Sequence, residues 1–335
     1  MSKTIGEIAE LAGVSKTTVS RVINNKPDVN PETREKILAL IATYDFQPSI
    51  FAKAIYSHKS NNIGLIIPHT VDHIFSNQFY VDVLRGISTE IERSHYFLLI
   101  CYVQEANVVN IFRQKRVDGF VIMSPASLHH NIIHELRRAE APFISTSKLS
   151  GEKDMVYVDV DNAKGASMAV EHLIALGHRK IAYIGRTTFT SSQDRQTGYR
   201  QTLEKHGMSE NEKYVRMTDS SSVKSGYDEM KDLLCLDDPP TAVFLENDLM
   251  AVGAIKAAKD LGLRIPEDVS IVGFDDIPLA QYTTPALTTI HQPAFIKGVE
   301  ATQLLLQFLE QGIVPVSKIL DVELIVRNST MRYMA

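Results

Sequence analysis

Beyond residue 60, short apolar runs bounded by turn residues alternate with amphipathic stretches of helical period, a pattern that few folds accept. The runs "NIGLIIP", "YFLLICY", "GFVIMSP", "PFIST", "KIAYIG", "AVFLEN", "SIVGFDD" and "TTIHQP" read as strands. Between them "VDVLRGISTEIERS", "GASMAVEHLIALG" and "MAVGAIKAAKDLG" read as helices, the last two stopping at Gly177 and Gly262, which suit a left-handed cap. Nearly continuous apolar strands separated by helices need a parallel sheet covered on both faces. The expected class is therefore α/β, and the number of strands calls for two doubly wound subdomains rather than one core.

Open parallel sheets bind ligands beyond the carboxyl ends of their strands. Those ends carry His69, Ser124, Ser145 to Ser147, Asn247, Asp248, Asp275 and Asp276, nearly all of them hydrogen-bonding side chains. Such a set suits a polyhydroxylated small molecule, whose vicinal hydroxyls pair with polar groups while an aromatic ring covers its apolar face. Capping of the following helices is the competing use of Asp248 and Asp276, and for Asp248 it is the preferred one.

The first sixty residues have a different texture. Apolar stripes Ile5, Ile8, Ala9, Ala12, then Val14, Val19, Val22, Ile23, then Ile37, Leu38, Leu40, Ile41 mark three short helices between residues 4 and 44. Gly13 suits the end of the first, Ser15 caps the second, and Asn30 followed by Pro31 starts the third. With Val19, Val22 and Ile23 inward, Lys16, Thr17, Ser20, Arg21 and Asn24 point outward. A trio of this kind matches a helix-turn-helix head, whose second helix enters the DNA major groove.

The stretch "TIGEIAELAGVSKTTVSRVINN…VNPETREKILALIATYDFQPSIFAKAI" closely resembles the N-terminal region of the lactose-repressor/galactose-repressor family of bacterial transcription factors. The resemblance implies that Lys16, Thr17 and Arg21 read bases, while Thr4, Ser15, Thr18, Ser20, Asn24, Asn30 and Thr33 hold phosphates. It also implies a hinge helix around Ser49, Lys53 and Ile55 that orders over the operator, with Ile55 wedged into the minor groove. Packing between domains is the other use of an apolar residue at that place.

"EHLIALGHRKIAYIG", "DRQTGYRQTLEKHG", "TAVFLENDLMAVGAIKAAKDLGLRIPEDVSIVGFDD" and "PALTTIHQP" extend the resemblance to nearly the full length. They imply a periplasmic-binding-protein-like core in which Arg195, Asn247 and Asp275 contact the effector. Phe75 and Phe79 stand where aromatics stack on it, although core packing explains either one. The chain departs from the family pattern at Ser147, where aspartate is usual, at Lys148, where arginine is usual, and at His69 in place of aspartate. The segment from Cys101 to Val117 is several residues shorter than usual.

The implied division is a DNA-binding head at residues 1–47, a hinge at 48–60, and a core at 61–335. Within the core, one subdomain holds about 61–159 and 291–321, the other about 160–290 and 322–335. The formal net charge of −5 excludes a wholly basic nucleic-acid coat, but residues 1–60 hold eight Lys/Arg against six Asp/Glu, leaving 27 against 34 for the rest. Two cysteines, Cys101 and Cys235, are too few for a disulfide framework. With no signal-like start and no run of membrane-span length, the expected location is the cytoplasm.

No nucleotide-binding glycine motif and no nucleophile elbow follows any strand, so no cofactor and no catalytic residue are expected. His129, His130 and His134 lack a completing ligand pattern and read as a solvated helix face, not a metal site. The expected protein is a homodimeric repressor of carbohydrate-utilisation genes that binds double-stranded operator DNA. A sugar or sugar phosphate between the core subdomains tunes it, and an exposed apolar face of "VDVLRGISTEI" and the equivalent helices forms the dimer. A protein co-effector is the first alternative; a cytoplasmic sugar-binding protein or an enzyme on the same scaffold is the weaker one.

Overall fold

The structure, a computed structural model, describes residues 3–23, 25–46, 59–67, 71–102, 105–123, 130–187 and 189–334. It forms two compact units, Met1–Ser60 and Asn61–Ala335.

In the first unit, helices α1 (Ile5–Ala12), α2 (Lys16–Ile23) and α3 (Pro31–Thr43) enclose a small core of Ile8, Ala9, Ala12, Val19, Val22, Ile37 and Phe46. Local sequence sets each boundary. Thr4 Oγ1 accepts from the Glu7 amide at 3.3 Å while the Glu7 carboxylate accepts from the Thr4 amide at 2.7 Å, a reciprocal cap on α1. Gly13 closes that helix at φ +73°. Ser15 Oγ accepts from the Thr18 amide at 3.1 Å, and Asn30 Oδ1 from the Glu32 amide at 2.9 Å. Leu38 departs from its expected place: it is 49% exposed, because the buried stripe of α3 runs through Ile37, Leu40 and Ile41.

The second unit carries two large sheets. Strands β1 (Asn62–Ile67), β2 (Phe97–Tyr102), β3 (Gly119–Ile122) and β4 (Phe143–Ser145) form a parallel sheet in the order β2-β1-β3-β4. The other sheet uses β6 (Ile181–Arg186), β7 (Val215–Thr218), β8 (Ala242–Leu245), β9 (Ser270–Asp275), β10 (Thr288–His291) and β12 (Glu323–Ile325). Its order is β12-β10-β9-β8-β6-β7, with only β12 antiparallel to its neighbour. β5 (Val158–Val160) and β11 (Lys318–Leu320) pair in parallel as a separate ribbon. Every expected strand is present; β5, β7, β11 and β12 are additional, each a short segment in which Asp159, Arg216, Lys318 or Glu323 breaks the apolar run that marks the others. Side chains of β5 join both cores: Val158 packs under the four-stranded sheet and Val160 under the six-stranded one.

Helices α4 (Val71–Ser76), α5 (Gln78–Arg93), α6 (Glu105–Arg113), α7 (His130–Arg138) and α12 (Ala294–Gln311) accompany the four-stranded sheet. Helices α8 (Asn162–Ala175), α9 (Thr190–Lys205), α10 (Val223–Leu234) and α11 (Asp248–Asp260) cover the six-stranded one. In each sheet the order in which strands are added reverses beside the first strand, between β1 and β3 and again between β6 and β8, and these switch points open the crevices where such sheets bind ligands.

The apolar face of α5, expected to be exposed at a dimer contact, is buried within the chain. Val83, Ile87 and Ile91 are buried, and the helix packs on α12 so closely that a Cβ at Gly86 would lie 2.0 Å from the Phe295 carbonyl oxygen and one at Gly298 2.1 Å from that of Val83. The moment of α5 is spent inside the chain. Exposed apolar surface lies instead on the edge strand β2, where Phe97 is 67% and Tyr102 50% exposed, with Leu99 and Ile100 beside them. Gly86→Ala should destabilise this unit by about 1–3 kcal/mol through helix separation, read as a lowered thermal midpoint; an unchanged midpoint would contradict the packing.

Candidate functional site

A cleft of about 750 Å3, including its open mouth, lies at the carboxyl ends of both sheets. Asn77, Phe79 and Tyr80 line it from the start of α5, Thr146 to Lys148 from the turn after β4, and Arg186, Glu246, Asp275 and Gln292 from the ends of β6, β8, β9 and β10.

Arg195 projects from α9 into the floor, 7% exposed. Its Nε donates to Asn162 Oδ1 at 2.9 Å and Nη1 donates to the Glu246 carbonyl oxygen and stands 3.7 Å from Asp275 Oδ1. The guanidinium lies over the Phe274 ring, 3.6 Å from its centroid. Asp275 is held at φ +114°, a strained backbone position for an aspartate and one kept only where neighbours over-determine it. Gln292 does so, donating from Nε2 to Asp275 Oδ1 at 2.5 Å. Burial pushes the Asp275 carboxyl up to about 6 against the opposing pull of Arg195, Gln292 and Lys297.

The polar chain continues across the cleft. Lys297 Nζ, from α12, donates to Gln292 Oε1 at 3.3 Å and to Asp159 Oδ1 at 3.0 Å, and the Lys148 amide donates to Asp159 Oδ2 at 2.8 Å. On the other wall the buried Glu246 carboxylate accepts from the Arg186 amide at 2.8 Å and from the Ser192 and Ser221 hydroxyls. Hydrogen-bonding groups are thus fixed by one another before any ligand arrives.

Arg195, Asn247, Asp275 and Ser147 line this cleft together. Asn247 also caps α11, its Oδ1 accepting from the Met250 amide at 2.9 Å, so its amide nitrogen is what remains for a ligand. Phe75 is 52% exposed on α4 and does not line the cleft, whereas Phe79 does, with Lys297 Nζ 5.5 Å from its ring centroid. His69 and Ser124 lie outside the described residues. Ser145 is buried and donates to the Ser147 carbonyl oxygen at 2.7 Å.

Neither Asp248 nor Asp276 caps a helix. Asp248 is buried and ties distant segments, accepting from the Ile277 amide at 2.8 Å and the Thr289 hydroxyl at 2.6 Å; burial, then the Asp275 charge, pushes its carboxyl well up. Asp276 pairs with Arg327 Nη2 at 2.6 Å and His291 Nδ1 at 3.1 Å. Sequence reasoning also missed Asp159, Asn162, Arg186, Glu246, Gln292 and Lys297. Arg186, Glu246 and Gln292 sit at strand ends and were within reach of the same rule that selected Asp275. Asp159 and Lys297 are far apart in sequence, and only their contact marks them.

On the head, α2 buries Val19 and Val22 and exposes Lys16, Thr17 and Arg21. Arg21 forms an exposed ion pair with Asp28. Thr18 shares a 2.9 Å hydrogen bond with Ser15, Ser20 and Thr33 are half-buried, and Thr4 and Asn30 are exposed at their helix starts. Asn24, Ser49, Lys53 and Ile55 lie outside the described residues.

Residues 4–49 match the bacterial regulatory proteins of the lacI family, and residues 170–330 match the periplasmic binding protein-like domain. The probable HTH-type transcriptional repressor ExuR of Bacillus subtilis (strain 168) is 34% identical over 98% of this chain and 98% of its own. The chain belongs to the LacI family. Catabolite control protein A of Priestia megaterium is 32% identical to this LacI-family chain over 93% of it and 94% of the relative. Among solved structures, the lac repressor dimer bound to operator and the anti-inducer ONPF aligns with a TM-score of 0.83 at 27% identity, over 99% of this chain and 100% of that one. The transcriptional regulator CelR in complex with cellobiose aligns at 0.76 and 29%, over 98% and 99%. Among the described residues no helix is long and apolar enough to cross a membrane.

Proposed function

We propose that this protein is a homodimeric repressor whose affinity for operator DNA is set by a small polyhydroxylated effector bound in the cleft. The observation that carries this reading is the linked chain Arg195–Asp275–Gln292–Lys297–Asp159. It runs along a cleft that also presents the Phe79 ring, and alternating donors and acceptors beside an aromatic face are what a sugar ring requires. A relative solved in complex with cellobiose and another with bound ribose support a sugar as the ligand class. The lac repressor structure, a dimer on operator, supports the mode of DNA binding, with Lys16, Thr17 and Arg21 at base edges and Ile55 at the centre of the site. A ligand acts on such a protein only through its differential affinity for two conformations. The polar chain spans both walls of the cleft, so a ligand that re-pairs its members favours one arrangement over another.

A thermal-shift screen of sugars on the full-length protein, followed by operator binding with and without each hit, tests the reading. The expected hit raises the melting temperature and changes operator affinity. Hits that leave operator affinity unchanged would argue for a binding protein without regulatory coupling.

The edge strand β2 fits the dimer contact, because an exposed apolar edge strand invites pairing unless a partner covers it. Leu99→Asp should shift the monomer–dimer equilibrium toward monomer by at least tenfold in sedimentation velocity, in keeping with the charge it would bury; an unchanged equilibrium would move the contact elsewhere.

A further inference from the structure

The charges lining the cleft do not balance. Lys148, Arg186, Arg195 and Lys297 face Asp159, Glu246 and Asp275. Asp159 is engaged by Lys297 and Asp275 by Arg195 and Gln292, while Glu246 accepts from two serine hydroxyls and one backbone amide. Among the described residues neither Arg186 nor Lys148 forms an ion pair within 4.0 Å, although the Glu246 and Asp219 charges act on Arg186 and Lys148 acts on Asp194.

Arg186 is the informative one. It ends β6 at the crevice beside β8, its backbone amide anchored to Glu246 and its guanidinium lying over the Phe189 ring at 3.9 Å. Its Nε is buried with no hydrogen-bond partner among the described residues, an arrangement that native proteins seldom leave unanswered. Burial also pulls the guanidinium below its usual range, against the opposing attraction of Tyr80, Glu246 and Asp219. The start of α9 lies in the same wall: Thr190, Ser191 and Ser192 line the cleft, and among the described residues no side chain caps the start of this sixteen-residue helix. Its first amides therefore add their partial positive charge to that of Arg186.

Resting on the effector reading above, we infer that the effector is anionic, a sugar acid or sugar phosphate whose carboxylate or phosphate seats between Arg186 and the N-terminus of α9. The planar guanidinium takes two oxygens side by side along the edge left free by Phe189. Lys148, on the opposite wall, supplies a second cation, and the sugar ring lies toward Phe79 and Arg195.

The test is isothermal titration of the full-length protein with matched sets: D-glucose, D-glucuronate and D-glucose 6-phosphate; D-galactose, D-galacturonate and D-galactose 6-phosphate; and inorganic phosphate alone. At least one anionic member is expected to bind about 30-fold more tightly than its neutral parent, in line with a charge-assisted contact, and Arg186→Gln should erase that preference. Whether the acid or the phosphate wins identifies the anion. Operator binding and the melting curve of Arg186→Gln report whether it folds; Lys148→Gln, at an exposed position, should lower the same preference independently. Neutral sugars binding as well as their acids, or a preference untouched by both substitutions, would overturn the proposal and leave the sugar reading standing. Binding of inorganic phosphate that depends on Arg186, with no sugar bound, would sustain the anion site and remove the sugar. Silence from every ligand, phosphate included, would overturn both.

Discussion

Arg195→Ala is expected to lower the stability of the 61–335 unit by about 3–5 kcal/mol, the penalty for leaving a buried charge without its partner, and to remove the response to effector. The guanidinium pairs with Asp275, holds Asn162 and the Glu246 carbonyl oxygen, and covers Phe274; alanine replaces none of these. The loss should depend on pH. Asp275 already has its carboxyl raised to about 6, above the unfolded value, so protonation stabilises the folded state and stability contributed by this group falls as pH rises from about 4 through 6. Without Arg195 the carboxyl moves higher still. The substitution therefore costs less at pH 5, where Asp275 is protonated, than at pH 8, where the orphaned carboxylate must ionise. Chemical denaturation of parent and variant at the two pH values checks both parts. An equal loss at pH 5 and pH 8 would show that the Asp275 charge is not what Arg195 serves.

For the head, Arg21→Ala should weaken binding to the specific operator by about 1–3 kcal/mol, the discrimination carried by one good arginine–base contact, with a smaller effect on random duplex. The side chain is exposed, and among the described residues it pairs with one carboxylate, Asp28, also exposed. An exposed pair contributes under about 1 kcal/mol, so DNA displaces Asp28 readily. Fluorescence anisotropy with operator and scrambled duplexes at fixed salt separates the two affinities. A variant that keeps the parental ratio of specific to random binding would remove Arg21 from the base readers and with it the proposed register of α2 in the groove.

Residues near in sequence and residues joined by folding were legible to different degrees. The head could be read from its letters because each of its devices is local: Thr4 and Glu7 close a cap three residues apart, Gly13 turns the chain within one residue, and Val19 and Val22 recur at the helical period. The alternation after residue 60 fixed the α/β class for the same reason. Strand ends announced Asn247 and Asp275, while the same ends carried Arg186, Glu246 and Gln292 unnoticed.

Sequence by itself determined the helical head and the alternating strands and helices, since these follow from periods of a few residues. Only the tertiary structure decided that α5 spends its apolar face on α12, leaving β2 exposed, and that Asp248 ties loops together where a cap was expected. It alone joined Lys297 to Asp159 and left the buried Arg186 Nε without a hydrogen-bond partner among the described residues. Burial and charge pairing depend on which distant segments meet, and a local pattern carries no record of its partners.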